Sequence, residues 1–352
     1  MLYTFGVNSL HHMNININII ATVAIGCYMT AGAQAEETTY SNVAYKQENI
    51  VVSGENTAIF SHSVEDTFTD FIASSVSATN GGALEFKNTS VFSNASKLSI
   101  DASSSLKSGL ISIDGTGSSM RNEGSASMGY LIVENGATAV NYGTITDATP
   151  NTDAEWDDNL TFEENESAMG DNLLDVISKG AFTNYGSIDS ITTVLDGEFI
   201  AQDNSSMGSV CLGMWYEDED YAKTFSSLNV NGSVTMTGTL ESYFYSEIVF
   251  TMDASIDMQG NSLIFEGGKI VLLYDGDLTD STVINKNDFF VNYTLGMYNV
   301  DYGDDMVVTV VGTNNVSREM TIKELSSTVP EPTTATLSLL ALAGLAARRR
   351  RR

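Results

Sequence analysis

Along most of the chain apolar residues alternate with Ser, Thr and Asn in short runs, as in Leu98-Ser99-Ile100, Leu110-Ile111-Ser112-Ile113 and Tyr130-Leu131-Ile132-Val133. Period-two alternation puts the apolar side chains on one face of an extended strand and the polar ones on the other. From about Ser226 the runs lengthen. Leu228, Val230, Val234, Met236 and Leu240 alternate with polar residues, and Ile248–Phe250, Leu263–Phe265, Ile270–Tyr274, Phe289–Tyr293 and Met306–Val311 follow. Asn231-Gly232, Gly267-Gly268, Asp275-Gly276 and Asp301-Tyr302-Gly303 separate them as turn signals. The pattern predicts an all-β body in two textures, a repeat-like region over 36–225 and a β-rich cap or second β region over 226–325.

Within the first texture a unit recurs. Asn122-Glu123-Gly124-Ser125, Asn141-Tyr142-Gly143-Thr144 and Asn184-Tyr185-Gly186-Ser187 share the form N-x-G-[ST], with Gly136-Ala137 and Gly180-Ala181 upstream of the last two. The spacings are 19 and 43 residues, the second about two coils of ~20 residues, and regular repeats of that length suggest solenoids. Asn122, Gly124, Asn141, Gly143, Asn184 and Gly186 are expected to be the turns, with the glycines in the left-handed region that Gly enters freely. Aligned Asn side chains can form ladders between coils. The pattern resembles the β-solenoid passenger segments of autotransporters and large adhesins, which implies a right-handed parallel β-solenoid closed by a β-rich cap or a small sheet domain; a β-sandwich is the alternative.

The two ends read differently from the body. Residues 15–29 are apolar and lead to Ala31-Gly32-Ala33-Gln34-Ala35, then Glu36-Glu37. Ala33 and Ala35 have the small-residue spacing that signal peptidase needs, so residues 1–35 read as a signal peptide, with translation starting at Met1 or Met13. At the other end 326–332 is a linker that closes with Val329-Pro330-Glu331-Pro332. Residues 333–347 are uncharged and rich in Leu and Ala, and Arg348, Arg349, Arg350, Arg351 and Arg352 follow. The two prolines keep their segment extended, the apolar run favours a helix, and the Arg block holds the cytoplasmic side of a membrane. This three-part tail closely resembles the PEP-CTERM sorting signal of Gram-negative bacteria. The resemblance implies a transient place in the inner membrane through 333–347, recognition of Val329–Pro332 by an exosortase, removal of the tail, and transfer of the body to the cell surface or extracellular matrix.

Composition narrows the functional classes. Outside the Arg tail the chain has eleven Lys and Arg against forty-five Asp and Glu, a net charge of −34. Such a body is repelled by phosphate backbones, which argues against nucleic acid as a partner and makes cations the natural neighbours. Seven acidic residues between 153 and 166, Asp157 and Asp158 among them, suggest an excursion from the stack; they could attract Ca2+, but no Asp-x-Asp-x-Asp-Gly register is present and solvated charge is the favoured reading. No cofactor is otherwise implied. His62 and Cys211 are the only His and Cys once a signal peptide is removed, too few for a zinc site. No nucleophile motif or nucleotide fingerprint occurs. Carboxylate clusters at Asp218-Glu219-Asp220, at Asp275-Gly276-Asp277 with Asp280, and at Asp301 with Asp304-Asp305, and the aromatics Trp156, Trp215 and Tyr216, are the remaining positions for chemistry on a glycan. The expected function is a non-enzymatic surface or matrix protein, structural or adhesive. The alternative is a glycan-binding or polysaccharide-active β-helix whose partner is an extracellular polysaccharide.

Overall fold

The computed structural model describes residues 35–64, 68–148, 173–213, 225–251, 254–261, 263–265, 268–279, 282, 284, 307–321 and 324. All belong to one compact unit, Gln34–Arg352. The signal-peptide positions before Ala35, including Ala33, and the whole tail from Val329 to Arg352 lie outside the described residues.

The strands come in threes. β1 (Glu37–Tyr40), β2 (Ala44–Lys46) and β3 (Asn49–Ser53) make a first coil. β4 (Thr57–Phe60), β5 (Thr69–Ile72) and β6 (Ser75–Thr79) make the next, each parallel to and in register with its predecessor in the first. β7 (Ala83–Phe86), β8 (Ser90–Ser93) and β9 (Lys97–Ile100) repeat the plan. In the following two coils the first two strands fuse, giving β10 (Ser105–Asp114) with β11 (Ser119–Asn122) and β12 (Ser125–Glu134) with β13 (Thr138–Asn141). The plan then continues to β26 (Ser255–Asp257), β27 (Leu263–Phe265) and β28 (Lys269–Tyr274). The result is a parallel β-solenoid of about nine turns with three ladders of strands. The expected solenoid is the fold observed.

The change of texture at Ser226 does not interrupt this architecture. The strand Ser226–Val230 pairs in parallel with Glu198–Ala201, and Ser246–Phe250 pairs with it in turn. The stack closes on the third ladder, where β29 (Val307–Gly312) adds in parallel to β28 and β30 (Ser317–Thr321) turns back antiparallel.

Alternation makes the core. Inward positions of successive coils stand over one another, so each column must be filled by residues that pack at the coil spacing of about 4.8 Å. In the first three coils the columns are aromatic. Tyr40, Phe60 and Phe86 stack at 4.9 and 4.7 Å, and Tyr45, Phe71 and Phe92 at 5.1 and 4.4 Å. The two columns meet edge to face, as with Phe60 and Phe71 at 77°, the arrangement ring quadrupoles prefer. Later coils use aliphatic residues and Met, with Phe182 stacked on Phe199 at 5.4 Å.

Two sequence expectations need correction. Asn141 and Asn184, 43 residues apart, sit in adjacent coils, because the strand Ala181–Asn184 pairs directly with β13. The long spacing is one enlarged coil, not two, and its surplus falls at residues 149–172, outside the described residues. The second correction concerns Gly124, Gly143 and Gly186, none of which has a positive φ. The left-handed corner lies instead at the start of the third-ladder strands, at Asn135 and Gly136 (φ 54° and 78°) and at Ser178 and Lys179 (φ 48° and 66°).

The three corner glycines are required by neighbours in space. A Cβ on Gly143 would lie 2.0 Å from the Gly124 carbonyl oxygen, and one on Gly186 would lie 2.0 Å from that of Gly143. Those oxygens accept from Thr144 N and Ser187 N, so they are fixed in the ladder. Gly143→Val and Gly186→Val are therefore each expected to destabilise the body by about 3 kcal/mol through forced backbone displacement. Gly109→Ala, at ordinary φ with nothing within 4 Å of the new Cβ, should change the melting temperature little. Thermal melts of the three variants check the contrast.

Candidate functional site

The recurring corner builds a polar column inside an apolar core. Asn122, Asn141 and Asn184 end consecutive third-ladder strands and are fully buried. Asn122 Nδ2 donates to Asn141 Oδ1 at 2.8 Å, and Asn141 Nδ2 donates to Asn184 Oδ1 at 2.9 Å. The second proton of each amide reaches the backbone, at Thr144 O and Ser187 O respectively. Asn184 Nδ2 ends the chain on Ser206 O at 3.0 Å. At the opposite end Asn122 Oδ1 is buried with no hydrogen-bond partner among the described residues. The next coil there presents Ile100, and the one past Asn184 presents Ala201.

Outside the same corner the x of N-x-G-[ST] forms a second column. Tyr142 and Tyr185 are 43% exposed and stack at 4.6 Å with an interplanar angle of 6°. Arg121 lies over the Tyr142 ring at 4.4 Å and pairs with Glu123. Arg121 and Tyr185 both pack on the Tyr142 ring, so this column braces the corner. The sequence reading passed over these two tyrosines, although their place in the repeat was the signal.

On the second ladder an outward column runs Asp175, Thr193, Cys211, Glu241 in successive coils. Asp175 is largely buried, and burial pushes its carboxyl above the usual range, opposed by hydrogen bonds from Tyr130 (2.5 Å to the hydroxyl) and Thr193. Burial likewise pushes the Cys211 thiol up to about 12, with the Glu241 and Asp175 charges adding to the effect. A thiol so disposed is a poor nucleophile. Asp175 and Glu241 stand three ladder steps apart, roughly 14 Å, beyond the ~5–9.5 Å over which paired carboxylates cleave glycosides.

The outer face of the third ladder holds a shallow groove of about 540 Å3 in its later coils, lined by Lys179, Glu198, Phe225, Glu247, Val249 and Leu273 among others. Lys269 lies over the Phe225 ring at 5.1 Å.

The other sequence candidates disperse. Asp277 Oδ1 accepts from Thr313 Oγ1 at 2.9 Å, tying the closing hairpin to the stack. The His62 backbone N–H donates to Asn88 Oδ1, and its ring nitrogens have no hydrogen-bond partner among the described residues. Trp156, Asp157, Asp158, Trp215, Tyr216, Asp218–Asp220, Asp280, Asp301 and Asp304–Asp305 lie outside the described residues. Among the described residues no group of three or more His, Cys, Asp or Glu could hold a metal ion.

Fold and site together define a coiled β rod whose polar interior residues serve the stack. Comparison with known proteins supplies the rest: residues 328–352 match the PEP-CTERM protein-sorting motif. The chain thus carries the signal of an exported protein, anchored in a membrane as a precursor and processed by an exosortase for the cell surface. Neither the curated proteins nor the solved structures yield a match.

Two measurements follow from this geometry. Asn141→Ala removes the acceptor of one Asn122 amide proton and one of the two donors to Asn184 Oδ1, which keeps Gly186 N. It should cost about 1–3 kcal/mol, chiefly by leaving that buried proton unmet. Asn122→Ala should cost less, because its Oδ1 is already unpartnered; denaturant titration of both variants gives the order. Asp175 titrates at a higher pH folded than unfolded, so its contribution favours folding most below the ordinary carboxylate value. That contribution is lost as pH rises through the folded value. Asp175→Asn should therefore melt above wild type at neutral pH, with the gap closing as pH falls toward about 4.

Proposed function

We propose that the delivered product is a structural or adhesive element of a bacterial exterior, non-enzymatic, displayed after signal peptidase acts behind Ala35 and an exosortase removes the tail. The observation that carries this reading is the attachment of a sorting motif at 328–352 to a rod of stacked coils whose recurring repeat residues are spent on the stack itself. A rod of this kind presents long parallel faces, which suits a spacer or a matrix component. Its −34 body stays soluble and repels its own kind along its length. The Gram-negative type of envelope and the matrix destination come from the resemblance of the tail.

The groove along the third ladder favours a second reading, an extracellular polysaccharide as ligand. It combines Phe225 with both signs of charge on a face that several coils share, the mixture of apolar surface and a few polar groups that small-molecule and sugar sites use. A glycan array on the exported protein, repeated with Leu273→Asp, would support this reading if a signal appears and falls in the variant.

The sorting part is tested in the producing cell. Replacing Pro330 and Glu331 with Ala should leave the precursor in the membrane fraction at full length, since the apolar segment would still stop transfer while the exosortase motif is gone. Export of the variant at the wild-type level would remove the proposal's basis.

A further inference from the structure

We infer that the processed protein associates head to head through the open edge of its first coil, as a two-fold dimer centred on Val51. Among the described residues β1, β2 and β3 each pair on one side only, with β4, β5 and β6. Their other edges carry a row of backbone donors and acceptors, which in most proteins is guarded by charge, Pro or a covering segment. β3 reads Asn49-Ile50-Val51-Val52-Ser53, with neither charge nor Pro, while the charges on the other two strands, Glu37 of β1 and Lys46 of β2, are of opposite sign. The inference rests on cleavage behind Ala35, which leaves a chain starting at Glu36, next to β1.

The edge is complementary to itself. In an antiparallel pair about Val51, Ile50 of one copy faces Val52 of the other and Asn49 faces Ser53. Ile50 and Val52 both point inward, at 8% and 7% exposure, while Val51 points outward at 57%. The pairing therefore sets core against core and surface against surface, as register in a half-buried sheet demands. The same two-fold brings β1 against the partner's β2. The aromatic columns end there in Tyr40 and Tyr45, so each column gains a ring beyond its last.

The described part of the opposite end does not offer this. The third ladder extends two strands past β28, while β26 and β27 are the last described strands of the other two. Among the described residues that end is stepped by about two coil spacings and does not match the level edge of β1, β2 and β3 on all three ladders. The outermost strand there, β30, carries Arg318 and Glu319 and is guarded in the usual way.

Charge sets the conditions. Two acidic bodies repel until salt screens them, so association should strengthen as ionic strength rises from low salt to about 0.5 M. The test uses exported protein with its N-terminus read by mass spectrometry. In a Cys211→Ser background, Val51→Cys should form an intermolecular disulfide on mild oxidation, because residues opposed across the two-fold bring their Cβ atoms within bridging range. Ser53→Cys should not, since it faces the partner's Asn49. Val51→Lys places like charges at the axis and should weaken association at least about tenfold with the melting temperature unchanged. Light scattering that shows only monomer at high salt in protein beginning at Glu36 would overturn the inference. So would equal bridging by Val51→Cys and Ser53→Cys, or growth into filaments. A monomer whose N-terminus lies upstream of Glu36 would overturn the cleavage reading, and the dimer with it.

Discussion

The parallel, in-register backbone ladder is the constraint on which everything else depends. Each residue has a counterpart in the next coil at about 4.8 Å, so a side chain is admitted only if it tolerates its neighbours at that distance. Aromatic rings meet the condition by stacking at 4.4 to 5.1 Å. Amides meet it because each can donate forward and accept from behind, as Asn122, Asn141 and Asn184 do. At the corner where one coil's carbonyl presses on the next coil's α-carbon, only glycine remains.

The same spacing bears on charge. Like charges directly opposite one another on a sheet destabilise it, and a body at −34 has many chances to place them so. Asp114 and Glu134 are such a pair, in register on β10 and β12. Asn135 Nδ2 bridges their carboxylates at 2.7 and 3.3 Å, and Ser112 Oγ donates to Glu134. Elsewhere the columns dilute or pair their charges. Glu85 faces Lys107, and along the third ladder Ser227 separates Glu198 from Glu247 before Lys269 follows. Acidity is thus accommodated coil by coil.

Much of this was legible in the sequence, and the parts that were not share a cause. Alternation and the N-x-G-[ST] unit pointed to stacked coils and to an Asn ladder, because both are local patterns repeated. The reason for Gly143 and Gly186 was not legible. An Asn-x-Gly triplet read in isolation suggests a left-handed turn, whereas the carbonyls that exclude a side chain belong to residues 19 and 43 positions earlier. The enlarged coil between Asn141 and Asn184 was misread for the same reason, since spacing alone does not separate two coils from one coil with an insertion. Tyr142 and Tyr185 sat in the repeat as its variable position, and their stack becomes visible only once the coils are known to be adjacent. The sorting tail needed no fold at all, being recognised through motif and order along the chain.

The central claim is that one outward column of the third ladder advances by one coil spacing per step from Lys97 through Ser119, Thr138, Ala181, Glu198, Ser227 and Glu247 to Lys269. Dipolar electron paramagnetic resonance between spin labels at cysteines placed in this column measures it directly. Labels at 97 and 198, four steps apart, should lie about 19 Å from each other, and labels at 97 and 269, seven steps apart, about 33 Å, before allowance for the label arms. Distances that grow in the ratio of the steps would establish the stack. A 97–269 distance no longer than the 97–198 distance, as a sandwich that folds the chain back on itself would give, would contradict it.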